Sequence, residues 1–141
     1  MNPDQIFQIA NMTALIGWVA LLISPFIPKL ADRISGLIIP ALLAIAYSGL
    51  ILVFFGGAEG GFDTLDNVMK LFTVREAALA GWIHYLAFDL FIGAWEVRTG
   101  RADGMPFLLV LPCLPLTFMF GPAGLLLFIV LRNIYGVARQ S

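Results

Sequence analysis

Long uncharged apolar runs constrain this chain more than any other feature of its sequence. Residues 5–28, 34–58 and 104–131 contain no Asp, Glu, Lys or Arg, and a fourth run starts at residue 77, is interrupted by Asp89 and stays apolar to residue 95. A helix needs about 20 apolar residues to cross a bilayer, so each run is long enough. We therefore predict an all-α integral membrane protein, a four-helix bundle in which residues 1–141 form a single four-span transmembrane domain.

A short amphipathic helix is predicted between helices two and three. After a glycine-rich break at residues 56–61, Thr64 is placed to cap a new helix, and Asp66 and Lys70 are spaced for an ion pair across one turn. Apolar side chains recur there at helical spacing, as on a helix that lies at the membrane interface: Leu65, Val68, Met69 and Phe72.

Helix three has a predicted start and end. Thr73 and Glu76 have the spacing of a capping box, in which each side chain bonds an otherwise unpaired amide at a helix start. We expect this helix to begin near Val74 and to run to about Val97.

His84 and Asp89 lie near the middle of helix three. A carboxylate near the bilayer centre costs about 2.5–3.5 kcal/mol on insertion scales, so it normally faces a polar cavity, a partner charge or a ligand. The two positions differ by about 140° around the helix, so they can line two walls of one cavity. We predict both as candidate catalytic residues. The alternatives are a hydrogen bond from His84 to a neighbouring helix and an ion pair between Asp89 and Arg132, whereas Glu96 is expected to be exposed.

Aromatic side chains flank this pair on both faces of helix three. The resulting walls suit a long, planar and apolar guest molecule, and helix four adds a hydroxyl and a guanidinium group. The predicted substrate-binding residues are Trp82, Tyr85, Phe88, Phe91, Trp95, Thr117 and Arg132.

Helix four is interrupted by Pro112, Pro115 and Pro122, and residues 120–124 are poorly suited to a continuous helix. The helix is either kinked or broken. A break at membrane depth frees backbone groups, which is tolerated only where they are buried in protein or line a cavity.

Several classes of site and partner are excluded. Cys113 is the only cysteine, so a disulfide framework and a cysteine-based zinc or iron–sulfur site are impossible within one chain, and no metal site is predicted. The net charge of −1 and the lack of a basic stripe with aromatic residues argue against nucleic-acid binding. The first apolar run lacks a basic start and a small-residue cleavage site, so we expect it to be retained. We expect an integral membrane location, in a bacterial inner membrane, or in a plastid membrane if the chain is a processed plant form.

The charged loops give an expected orientation. The loops after helices one and three contain Lys29, Arg33, Arg98 and Arg101 and would face the cytoplasm. The opposite side would then hold both termini together with the remaining basic residues: Lys70, Arg75, Arg132 and Arg139.

Two segments resemble a known family. Residues 81–93, GWIHYLAFDLFIG, and residues 116–127, LTFMFGPAGLLL, are similar to the plant abscisic-acid-deficient-four (neoxanthin synthase-like) membrane proteins and their bacterial homologues. A looser likeness covers residues 10–25, so the resemblance extends over most of the chain. It implies a four-span protein that acts on carotenoids, in plants at the step that converts the epoxide of violaxanthin into the allene of neoxanthin.

The chemistry implied by this resemblance is an isomerisation without redox change. The epoxide oxygen is protonated, the ring opens, and a proton leaves the adjacent polyene carbon, which requires an acid and a base in a dry pocket. Asp89 would be the acid, neutral His84 the base, and Arg132 or Thr117 would position the oxygen. We thus predict a carotenoid-modifying membrane isomerase that needs no cofactor.

Two other functions remain open on the sequence. The first is binding of a carotenoid or lipid without catalysis. The second is haem binding through His84, with Met119 or His84 of a second copy as the opposite ligand. Four short-looped helices offer little room for a long polyene, so a homodimer with a groove between its subunits is also predicted.

Overall fold

Six helices form the protein, and the computed structural model describes all residues from 1 to 141. The prediction of an all-α membrane bundle is confirmed, because four helical stretches are long and apolar enough to cross a membrane: Pro3–Leu22, Pro28–Gly57, Arg75–Ala102 and Phe107–Gln140. The helices are α1 (Pro3–Leu22), α2 (Pro28–Gly57, with a π-helical turn at Ile34–Ile38), α3 (Leu65–Thr73), α4 (Arg75–Ala102), α5 (Phe107–Val110) and α6 (Cys113–Gln140).

α4 is the centre of the bundle, because α1, α2 and α6 all pack against it. Glycines let α1 and α4 approach closely: a Cβ on Gly93 would lie 2.8 Å from the Trp18 ring, and one on Gly17 would lie 2.5 Å from Leu90. The Ser35 hydroxyl of α2 donates a hydrogen bond of 2.7 Å to the carbonyl oxygen of Gly17. The hydrophobic effect does not drive helices together inside a bilayer, so close packing and hydrogen bonds of this kind hold them together.

α3 is the predicted short helix between the second and third apolar runs. The Thr64 hydroxyl accepts a hydrogen bond of 3.2 Å from the amide of Asn67, so the predicted cap is confirmed. The Phe72 ring packs against α4. The expected ion pair between Asp66 and Lys70 is not formed.

The predicted start of α4 near Val74 is confirmed, but its capping box and its predicted end need correction. Thr73 is the last residue of α3 and its hydroxyl donates to a carbonyl within that helix, so the predicted capping box is wrong and Val74 precedes α4 without a side-chain cap. α4 ends at Ala102 rather than near Val97. The apolar pattern stops at Val97, but polar residues continue the helix until Gly104, whose φ of 71° favours glycine and ends it.

The fourth apolar stretch reverses direction inside the bundle. The φ and ψ angles are −139° and 42° at Phe120 and 4° and −76° at Gly121, far from helical values. In a continuous helix Tyr135 would lie about 42 Å from Phe107. Its hydroxyl instead donates a hydrogen bond of 2.7 Å to the carbonyl oxygen of Gly104, just before Phe107. The helix is therefore broken, and the chain turns back at the break.

Two arms result from this reversal. Residues 107–119 enter the bundle as the first arm, and residues 122–140 return to the same end as the second arm; together they are called the hairpin. The second arm is fixed near its end by an ion pair of 2.5 Å between Arg132 Nε and Asp103 Oδ2. α1, α2 and α4 thus cross the whole bundle, whereas the hairpin enters and leaves at one end. The predicted fourth span is therefore a re-entrant hairpin and not a crossing helix.

The hairpin also changes the expected orientation. Arg132 and Arg139 both bond to Asp103, so they lie at the same end as the loop after α4. The N-terminus lies at the other end, where Asp4 pairs with Arg75. The expectations that both termini lie on one side and that Arg132 and Arg139 lie opposite this loop are therefore wrong.

Candidate functional site

A groove between α2 and α4 contains the only histidine of the chain. It has a volume of about 540 Å³ and an apolar lining in which Phe88 and Phe91 form one wall. Both phenylalanines are exposed, so the groove opens toward lipid. Its polar groups, Tyr47, Ser48 and His84, lie together toward the end of the groove near the N-terminal end of α4.

His84 contacts two aromatic rings in this groove. Its ring meets the edge of Phe88 with 4.7 Å between centroids and that of Tyr47 with 5.6 Å. It makes no hydrogen bond to protein, so the alternative of a hydrogen bond between helices is wrong. The two ring nitrogens are therefore free to bind a guest molecule in the groove.

Asp89 lies on another face of α4, against the reversal of the hairpin. A Cβ on Gly121 would collide with its Oδ1, and its Oδ2 is buried without a hydrogen-bond partner. Because the two positions are about 140° apart around α4, His84 faces α2 and Asp89 faces the hairpin. The two side chains do not line one cavity, so that prediction is wrong. Arg132 pairs with Asp103, so the proposed ion pair between Asp89 and Arg132 is not formed.

The Tyr85 hydroxyl bonds backbone carbonyls that the reversal leaves free. It lies 2.6 Å from the carbonyl oxygen of Phe118 and 2.8 Å from that of Met119. Pro122 accounts for the first, because a proline has no amide to donate to the carbonyl four residues before it. A hydroxyl has one proton, so Tyr85 donates to one carbonyl at a time. Tyr85 thereby stabilises the break in the hairpin.

Glu96 is fully buried, and the expectation that it is exposed is wrong. The hydroxyl of Thr117, on the first arm, lies 2.9 and 3.1 Å from its two carboxylate oxygens. Glu96 follows Asp89 by seven residues, so the two carboxyl groups lie on one face of α4, about 10 Å apart along its axis. The hairpin covers this face, and neither carboxyl group has a Lys or Arg partner.

The remaining predicted binding residues lie elsewhere. Trp82 contacts α1, where its Nε1 donates a hydrogen bond of 2.9 Å to Asn11. Trp95 packs edge-on against Phe128 of the second arm, with 5.3 Å between ring centroids. Arg132 lies at the end of the bundle. The predicted set is therefore divided among the groove, α1 and the hairpin.

Three residues of these sites were missed or misjudged from the sequence. Tyr47 and Ser48 are polar residues in an apolar run, which was a usable signal, but nothing local shows that they lie opposite His84. Glu96 shares a helical face with Asp89, and that spacing could have indicated a common buried neighbour.

The haem hypothesis has weak support from this geometry. No methionine and no second imidazole lines the groove with His84. Met119 lies at the reversal, where its carbonyl bonds Tyr85. Of the two predicted opposite ligands, His84 of a second copy is the one that this geometry leaves open, and haem binding stays a prediction on that basis.

The fold and these sites define an all-helical integral membrane protein with a lipid-facing groove at a lone histidine and a buried carboxyl face closed by a re-entrant hairpin. A family model described as ABA4-like, ABA DEFICIENT 4-like, matches residues 5–128, and the chain belongs to this family. The resemblance stated from the sequence is thereby confirmed, and the match covers both the groove and the reversal. No curated protein and no solved structure matches the chain.

Proposed function

We propose that this protein binds a carotenoid in the groove between α2 and α4 and isomerises it by proton transfer, without redox change. The observation that carries this proposal is His84, a proton-transfer group without a protein hydrogen-bond partner in an apolar groove that opens to lipid. Membership of the ABA4-like family is consistent with a carotenoid-related protein.

The shape of the groove supports an elongated occupant. Along α2 its lining extends from Gly36 to Ser48, thirteen residues that span about 18 Å of helix. The small side chains Ala41, Ala44 and Ala87 leave a flat floor between the helices. A rigid planar polyene loses little conformational entropy on binding such a surface.

The chemistry requires an acid and a base close to one end of the substrate. An imidazole accepts or donates a proton near neutral pH, so His84 would remove the proton from the polyene carbon. The hydroxyl groups of Tyr47 and Ser48 lie in the same part of the groove, where they would hold the substrate oxygen and supply the proton that it gains. The protonated His84 would then return to them the proton that it removed from carbon, so both groups are restored. Asp89 faces the hairpin, so this proposal gives it no contact with the bound polyene.

The test is analysis of bound pigments after expression in a carotenoid-producing host. The wild-type protein is expected to copurify with a carotenoid and its isomer of equal mass, separated by chromatography with mass detection. His84→Gln should keep the bound pigment but lower isomer formation about 100-fold or more, the usual contribution of general acid–base catalysis.

Substitutions on α2 supply matched controls. Ala44→Phe fills the groove and should abolish pigment binding, whereas Ile45→Phe adds the same ring to the neighbouring lipid-facing position, which does not line the groove, and should change nothing. Bound but unconverted pigment in the wild type would indicate a carotenoid-holding protein without catalysis. A haem spectrum, or no pigment at all, would contradict the proposal.

A further inference from the structure

The two ends of the bundle carry opposite charge, because the hairpin returns to the end where α4 finishes. Only two carboxylate side chains lie at that end, Asp32 and Asp103, and both are paired, with Arg101 at 2.7 Å and with Arg132 at 2.5 Å. Six of the eight Lys and Arg side chains of the chain lie there: Lys29, Arg33, Arg98, Arg101, Arg132 and Arg139.

The opposite end is acidic. Its only basic side chains are Lys70 and Arg75, and Arg75 pairs with Asp4. Five carboxylates lie there, at the start of α1, in the connection around α3 and at the start of α4: Asp4, Glu59, Asp63, Asp66 and Glu76. The asymmetry depends on the hairpin, since a continuous fourth helix would carry Arg132 and Arg139 to this end.

We propose that the basic end is a binding surface for anionic phospholipid headgroups and fixes the protein with its C-terminus on the cytoplasmic side. Lys and Arg flanking membrane segments are retained on the cytoplasmic side, and that leaflet carries the anionic lipid. The acidic end, with the N-terminus and α3, then faces the opposite side.

The basic side chains have donors free for phosphate. Lys29, Arg33 and Arg98 form no ion pair. Arg132 uses only its Nε for Asp103, and Arg139 donates to the carbonyl oxygen of the same residue.

A cleft at this end offers a place for a headgroup. The cleft, of about 470 Å³, lies between the second arm and the end of α4 and is lined by Asp103, Arg132, Tyr135 and Arg139. Tyr135 combines an apolar ring with a hydroxyl, as side chains at the membrane interface do. The inference is independent of the polyene that the groove holds.

Cysteine accessibility tests the orientation in the full chain. Native Cys113 is buried and serves as the unlabelled background. In intact bacterial cells, a membrane-impermeant maleimide is expected to label Glu59→Cys, and to label Ser141→Cys only after the inner membrane is opened. The reverse pattern would overturn the proposal, and so would labelling of both variants in intact cells, which would mean that the fourth stretch crosses the membrane.

Lipid selection tests the headgroup contact. Protein reconstituted in vesicles of equal phosphatidylcholine and phosphatidylglycerol is extracted in mild detergent, and the retained lipids are quantified by mass spectrometry. Phosphatidylglycerol should be enriched, and neutralising Lys29, Arg33 and Arg98 to glutamine should lower that enrichment about 5-fold for each cation removed. Lys70→Gln, at the acidic end, is the control and should leave it unchanged. Equal retention of both lipids, or no loss in the triple variant, would overturn the proposal.

Discussion

Replacing Gly124 with alanine distinguishes a reversed chain from a continuous helix. In the hairpin, a Cβ on Gly124 would overlap Thr117 at its hydroxyl oxygen and its amide nitrogen and would lie 2.5 Å from its Cα. In a continuous helix, residues seven apart are separated by about 10 Å along the axis and do not touch. The two arrangements therefore predict effects of opposite sign.

The size of the expected change in the free energy of unfolding depends on which atoms the new Cβ overlaps. In a helix interior, alanine is more stable than glycine by about 0.5–1 kcal/mol. Overpacking a well-packed site costs about 1–3 kcal/mol. Two of the atoms near the new Cβ belong to the Thr117 backbone, which cannot move away by a rotamer change. The expected result for Gly124→Ala is thus a loss of about 1–3 kcal/mol in the free energy of unfolding, with the upper part of that range favoured.

The measurement is equilibrium unfolding in mixed micelles, with increasing sodium dodecyl sulfate and detection by tryptophan fluorescence. Gly136→Ala is the matched control, because Gly136 is on the same arm and a Cβ there meets no atom within 4 Å. The control should be neutral or slightly stabilised. If Gly124→Ala unfolds at the same detergent fraction as Gly136→Ala, the reversal deduced for this stretch is refuted.

Two further predictions concern the carboxyl face of α4, and both are read in the same unfolding assay. Gly121→Ala should destabilise the protein by about 1–3 kcal/mol, because the new Cβ overlaps the carboxylate of Asp89. Adding Asp89→Ala should recover most of that loss. If the effects of the two substitutions simply add, the contact is not present. Thr117→Val removes the only hydrogen-bond donor to Glu96 and should cost about 1–3 kcal/mol. Adding Glu96→Met to that variant should restore stability, since replacing both partners by apolar groups of similar shape is nearly neutral, and a further loss would show that the carboxyl group has another partner.

The parts of the fold that could be predicted from the sequence are those set by local chemistry. An uncharged apolar run that is long enough to cross a bilayer has few possible structures other than a membrane helix. Lipid cannot form hydrogen bonds with the backbone, so the backbone groups must pair with one another. Thr64 precedes an amphipathic segment and caps α3 as expected. Thr73 shows the limit of such patterns: its hydroxyl is equally able to bond backwards within α3, and that contact is the one formed.

The direction of the chain after residue 121 could not be read from the sequence. Pro122 and its neighbours indicate a break, but a break permits either a kink or a reversal. The reversal is selected by residues distant in sequence, since Tyr85 bonds the freed carbonyls and Asp103 holds Arg132 on the return. The return of the chain also decides the end at which Arg132 and Arg139 lie, so the orientation predicted from the basic residues was wrong for the same reason.

The prediction that His84 and Asp89 line one cavity was wrong for a related reason. The angle between His84 and Asp89 was right, but around a central helix each face meets a different neighbour, here α2 and the hairpin. Asp89 and Glu96 then require a neighbour other than lipid, and the hairpin requires donors for the carbonyls that its break exposes. Two hydroxyl groups supply these hydrogen bonds: Tyr85 of α4 donates to a backbone carbonyl of the hairpin, and Thr117 of the hairpin donates to Glu96. The carboxyl face and the re-entrant segment thus depend on each other for burial, which leaves the groove at His84 as the polar site that a guest can reach from the lipid.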